Sequence, residues 1–192
     1  MILSKPSLTA KPLIYRYIKK EAGMTEKTLF KNERVKDIVL CSLFAALIAV
    51  CSWISIPATI PFTLQTFGVF VTVGMLGGRK GLITVLLYII MGLIGLPVFS
   101  NFTGGFAILA GNTGGYIIGF LGIAGVMWLF ENLFGKNLWS LASSMVLGLL
   151  VCYAFGTAWF MVAYARSAGA VGLATVLSWC VFPFIVPDLL KI

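Results

Sequence analysis

From Ile38 to Gly78 the chain runs 41 residues without a charge. Crossing a bilayer's hydrocarbon takes roughly 20 apolar residues as a helix, so this run holds two spans. Pro57 and Pro61 divide it, predicting one helix over 38–56 and a second over 62–78. "GGRKG" (Gly77 to Gly81) reads as a short turn. A third helix starts near Gly81 and stops at "GLPVF", because the residue before Pro97 is pushed out of the helical region. Next comes "NFTGGFAILAGNTGGYIIGF", Asn101 to Phe120, glycine-rich and uncharged, and a fourth helix runs on to about Phe130. "ENLFGKN" is a polar turn, and a fifth helix covers Leu138 to Ala165. Segment 169–187 stays open at this level. Hydropathy makes it a sixth span, whereas Pro183 and Pro187 interrupt a simple helix.

Composition makes the class plain. Only 10% of residues are charged and 60% are hydrophobic, against about 25% charged in soluble domains. The pattern predicts an all-α integral membrane protein. Nine of the fourteen Lys/Arg lie in residues 1–37, ahead of the first apolar run, which suits a cytoplasmic N-terminus and membrane lipid rather than nucleic acid. This gives a basic, poorly ordered cytoplasmic segment (1–37) and a membrane domain (38–192). The segment is too polar, and the run after it too long, for a cleaved signal. Arg79/Lys80 and Lys136 fall in the two loops expected inside; loops 1–2 and 3–4, expected outside, carry no Lys or Arg. Arg166, in the loop after the fifth helix, is the exception. The glycine-rich patch is thereby placed on the outer side.

The chemistry on offer is narrow. The chain has no His, and Cys41, Cys51, Cys152 and Cys180 stand singly in apolar runs, so no metal site and no cofactor are expected. Beyond residue 37 the only acids are Glu131 and Asp188. That removes paired-carboxylate and His-based catalysis, and with them an enzyme. Glu131 reads as interfacial. Asp188 and Lys191, three apart, face one side of a helix; they mark either a ligand site within the membrane or an ordinary interfacial pair. Gly111, Gly115 and Gly119 repeat every four residues, as close helix packing requires. Asn101, Thr103, Asn112 and Thr113 need another reason. Unwound, glycine-rich backbone at membrane depth is tolerated where it lines a cavity, so this patch is read as helping to hold a small molecule, with Gln65 adding an amide. "GGRKG" lacks the GxxxxGK[ST] phosphate-loop pattern, so active transport would draw its energy from a partner or an ion gradient. Ala45 and Ala49, one turn apart, form a flat surface for internal packing or for a docking helix.

The ordered set "PFTLQTFG", "YIIMGLIGLPVF", "GNTGGYIIGF" and "PDLLK" resembles the BioY family, the biotin-binding S components of energy-coupling factor (ECF) vitamin transporters. The resemblance runs from about Val39 to the C-terminus. It implies a six-helix S-component bundle with biotin, the transported ligand, held near the outer face of a bacterial cytoplasmic membrane. It also implies that Asp188 and Lys191 contact the vitamin, with Gln65, Asn101, Thr103, Asn112 and Tyr116 around it. Ala45 and Ala49 look like the family's docking motif for a transmembrane coupling subunit driven by two ATPases. Relatives often read Gly-Pro-Thr or Gly-Pro-Ser where this chain has Gly111-Asn112-Thr113, and some have Asn where it has Thr103. In the family the Pro-Asp-x-x-Lys motif opens the sixth helix. This implies that 169–186 is an outer loop with a short helix, and that helix 6 is cut short at Ile192. An S component for another vitamin, a small membrane enzyme and a passive pore are the alternative readings.

Overall fold

The computed structural model describes residues 26–56 and 62–192. The chain divides into two units between Val39 and Leu40. Of the basic segment expected over 1–37, residues 1–25 lie outside the described residues, and the rest begins a helix, α1 (Glu26–Trp53). A two-residue strand β1 (Ser55–Ile56) pairs antiparallel with β2 (Phe62–Thr63). Pro57 and Pro61 lie in the undescribed link between them. Then follow α2 (Gln65–Leu76), α3 (Gly78–Leu93), a 3-10 turn (Ser100–Phe102), short α4 (Phe106–Ala110), α5 (Gly114–Phe134), α6 (Leu138–Ala168), α7 (Leu173–Cys180) and α8 (Phe182–Leu190).

Among the described residues four stretches are long and apolar enough to cross a membrane: 33–53, 114–134, 138–168 and 173–190. Helices α2 and α3, at 12 and 16 residues, reach only about 18 and 24 Å at 1.5 Å per residue. The membrane-protein class holds, while α2 is shorter than the 62–78 expected and α3, of the expected length, begins and ends three residues earlier.

Several boundaries move for local reasons. "GGRKG" is not a turn: only Gly77 is non-helical, at φ +80°, and Gly78 already starts α3. A Cβ at Gly78 would overlap the backbone of Trp128 in α5, so glycine lets the start of α3 butt against the last turns of α5. Glu131, expected in a turn, lies inside α5, where its carboxylate accepts the Gly78 N–H at 2.8 Å and caps α3 from a neighbouring helix. Arg166 falls in the last turn of α6 rather than in a loop. Asn137 caps the start of α6, its side chain accepting from Ser140 N at 2.7 Å.

The expectation that Pro187-Asp188 opens a helix is also corrected. α8 starts a turn earlier, at Phe182, with Pro183 in its first turn, where a missing N–H costs nothing. Pro187 then sits inside α8. The absent bond would have run to the carbonyl of Pro183, so a single contact is lost. A break at Val181 separates α7 from α8, so segment 169–187 is neither a straight span nor a plain loop.

The core forms where α5 crosses α6, the most extensive helix contact among the described residues. Small residues permit it: a methyl on Gly115 would overlap Trp159, and one on Gly156 would overlap the Tyr116 ring. The repeated glycines at 115 and 119 are therefore packing residues. Against this pair lies a buried polar thread. Gln65 Nε2 donates to Tyr88 Oη (2.7 Å), Tyr88 donates to the Val98 carbonyl (2.9 Å), and the Ser52 hydroxyl reaches that same carbonyl at 2.6 Å. With Phe99 edge-on to Tyr88 at 5.6 Å, the thread fixes the chain entering the glycine-rich patch against α1, α2 and α3.

Candidate ligand-binding site

A partly enclosed cavity of about 70 Å³ lies where α2 and α5 begin. Six parts of the fold reach it: Thr63 of β2 with Gln65 and Thr66 of α2, Ser100 of the 3-10 turn, Tyr116 and Phe120 of α5, Cys152 and Tyr153 of α6, Cys180 of α7, and Phe184, Asp188 and Lys191 at the C-terminal end. Gly77, Glu131 and Lys136 mark the opposite end, since α2 and α5 both run from the cavity toward them.

Asp188 and Lys191 form the floor. Their side chains are 3% and 9% exposed, and Lys191 Nζ lies 2.8 Å from Asp188 Oδ1. Such a pair survives burial only when its remaining hydrogen-bonding positions are filled. The lysine's are: its three protons point to Asp188 Oδ1, Thr66 Oγ1 and the Thr63 carbonyl, each at 2.8 Å. The ammonium also sits 4.6 Å from the centre of the Phe62 ring. Asp188 accepts from the Thr66 hydroxyl at 2.9 Å on Oδ1 and from the Tyr153 hydroxyl at 2.6 Å on Oδ2. A carboxylate offers about four acceptor positions, so one remains for a further donor. Gln65 spends one amide proton on Tyr88 and keeps a second N–H and its carbonyl oxygen. The Tyr116 hydroxyl lies 3.2 Å from Thr157 Oγ1.

Four of the seven expected binding residues thus meet in one cavity: Gln65, Tyr116, Asp188 and Lys191. Three do not line it. Asn101 occupies a left-handed turn at φ 55°, its Oδ1 accepting from Ser55 at 3.1 Å. The Thr103 hydroxyl is spent on the Ser100 carbonyl at 2.8 Å. Asn112 lies in the turn before α5. The glycine-rich patch therefore reaches the cavity through Thr113, Tyr116, Ile117 and Phe120, not through its amides. Ala45 and Ala49, expected as a docking pair, face inward. They are 0% and 4% exposed, because this face of α1 turns into the bundle, where Ile48 and Cys51 meet Gly68 of α2. The face left open carries Ser42, Leu43, Ala46 and Val50.

Sequence reasoning missed Thr66, Tyr153, Cys152, Cys180 and Phe184 at the cavity. Thr66 stood beside Gln65 in "PFTLQTFG" and could have been included with it. Tyr153 is embedded in a continuous apolar helix, and nothing around it marks a polar role.

A helical membrane bundle with a small, mostly apolar cavity at one end, floored by a buried ion pair, defines a membrane-embedded subunit that binds a small molecule. The chain belongs to the BioY family, whose model matches residues 22–192, starting earlier than the expected Val39. It is 40% identical over 161 residues to the biotin transporter BioY of Thermotoga maritima, covering 82% of this chain and 90% of that protein. It is 38% identical over 162 residues to the probable biotin transporter BioY of Pyrococcus horikoshii, with the same coverage. A solved structure, the S-component for biotin from an ECF-type ABC transporter, superposes with a TM-score of 0.72 at 26% identity, covering 88% of each chain.

Proposed function

We propose that this protein captures biotin as the substrate-binding subunit of an energy-coupling factor transporter. The observation that carries the reading is the buried Asp188–Lys191 pair flooring the cavity of a BioY-family chain. Biotin's cyclic urea offers two N–H donors flanking one carbonyl acceptor. Asp188 has an acceptor position to receive an N–H, and Lys191 can turn a proton from Thr63 or Thr66 to a ligand oxygen. Hydrogen bonds to charged groups contribute about 1.5–3 kcal/mol each. Tyr116, Phe120 and Phe184 supply ring surface for the apolar part of the bicycle. The cavity, about 70 Å³, is well below the roughly 300–1,000 Å³ usual for small-molecule sites, so entry requires side chains around it to move.

Loop charges support an orientation with the N-terminus inside. Arg79, Lys80 and Lys136 lie toward the end opposite the cavity, which supports a cavity on the outer side. The chain carries no nucleotide-binding pattern, so release is driven by a coupling subunit and two ATPases. The exposed α1 face around Ala46, a shallow apolar hollow lined by Leu43, Phe44, Leu47 and Val50, is the docking surface. Equilibrium binding of labelled biotin to the purified chain tests the reading, with other vitamins as competitors. Saturable binding displaced only by biotin is expected; displacement by a different vitamin reassigns the ligand, and no binding of biotin overturns the proposal.

A further inference from the structure

We propose that Tyr153 is a positioning residue for this site, acting through Asp188; the inference rests on the biotin reading above. Asp188 is held from three directions. Lys191 belongs to its own C-terminal segment, Thr66 comes from α2 and Tyr153 from the middle of α6. Among the described residues only Tyr153 holds Oδ2, at 2.6 Å, the shortest of the three bonds, and a short O–H···O⁻ bond is a strong one. Lys191 and Thr66 both crowd Oδ1 and also bond one another at 2.8 Å. Tyr153 therefore sets the rotation of the carboxylate, and with it the direction of the remaining acceptor position. When a ligand draws Lys191 away, Tyr153 and Thr66 are what keep Asp188 aimed and its charge compensated.

The ring has a separate job. It lines the cavity on one side and, on the other, an apolar groove of about 540 Å³ between α6 and the α7–α8 segment. Substituting phenylalanine removes the hydroxyl while leaving that wall in place.

The chain has only two aspartates, Asp37 and Asp188. Infrared spectra of protein labelled with ¹³C-carboxyl aspartate, less the spectrum of Asp188→Asn, therefore isolate the Asp188 carboxylate. In Tyr153→Phe, before ligand is added, that band is expected to move, and labelled biotin is expected to bind about tenfold or more weakly at an unchanged number of sites. An unmoved band, or unchanged affinity beside a moved band, overturns the proposal. Should Tyr153→Phe fail to fold, 3-fluorotyrosine at position 153 retains the hydroxyl as a stronger donor; the Asp188 band must still move. A wild-type chain that binds no biotin overturns the functional reading instead, and the infrared band alone then decides whether Tyr153 sets Asp188.

Discussion

At the scale of single residues, the Asp188–Lys191 cluster governs both stability and binding. Removing one partner of a buried ion pair leaves the other charge uncompensated, at a cost of about 3–5 kcal/mol, whereas replacing both often costs little. Lys191→Met should accordingly lower the melting temperature in detergent sharply. Asp188→Asn combined with Lys191→Met should recover much of that loss without recovering biotin binding. If the double variant melts no higher than Lys191→Met, the two charges are not coupled in the folded protein. The pair was legible in the sequence because an acid and a base three apart stand out in apolar surroundings. Thr66, beside Gln65, could have been read with it; Tyr153 could not, since a tyrosine in an apolar helix acquires a polar role only when distant elements converge on it. The patch was harder to read: Thr103 bonds within its own turn and Asn101 accepts from Ser55 of β1, uses of polar side chains that composition cannot distinguish from ligand binding.

At the scale of elements, the end of the bundle away from the cavity is joined by Glu131. Its carboxylate caps the first N–H of α3 and lies 3.7 Å from Lys136, whose side chain is 74% exposed. An exposed partner contributes about 0–1 kcal/mol, while loss of a helix cap costs about 0.5–2 kcal/mol. Glu131→Ala should therefore destabilise more than Lys136→Ala in thermal unfolding, and equal effects would assign the stabilisation to the ion pair instead. Gly78→Ala should be worse than either, because its methyl group has no space beside the Trp128 backbone. Wild-type thermal stability in that variant would show the close approach to be dispensable. Apolar run lengths located most of the helices in the sequence. Their ends depended on contacts across the bundle: Gly77–Gly78 looks like a turn until α5 is seen pressed against it, and Pro187 looks like a helix start until Pro183 takes that position.

At the scale of the whole molecule, facing decides function. Run length and charge gave the membrane class from sequence, but a helix that is apolar all round does not reveal which side meets the bundle. Ala45 and Ala49 read as a docking pair, yet a single residue step, about 100° around the helix, separates a position facing the bundle from one facing outward. The structure puts that pair inside and leaves Ser42 and Ala46, also four apart, outside. A small residue lets a neighbouring helix approach closely, and in lipid that approach supplies much of the attraction. Ala46→Trp fills the hollow on α1 without touching the cavity, whose walls come from β2 onward. The expected result is unchanged biotin binding by the isolated subunit, together with loss of co-purification with its coupling subunit and loss of biotin uptake by cells. Ala45→Trp should behave differently, because its bulk enters the core: unfolding should precede any effect on assembly. Retained co-purification in Ala46→Trp would move the docking surface to another face of the bundle. Loss of biotin binding in that variant would mean that the outer face of α1 and the cavity are mechanically linked, so that partner docking and vitamin capture cannot be separated by substitution on this helix.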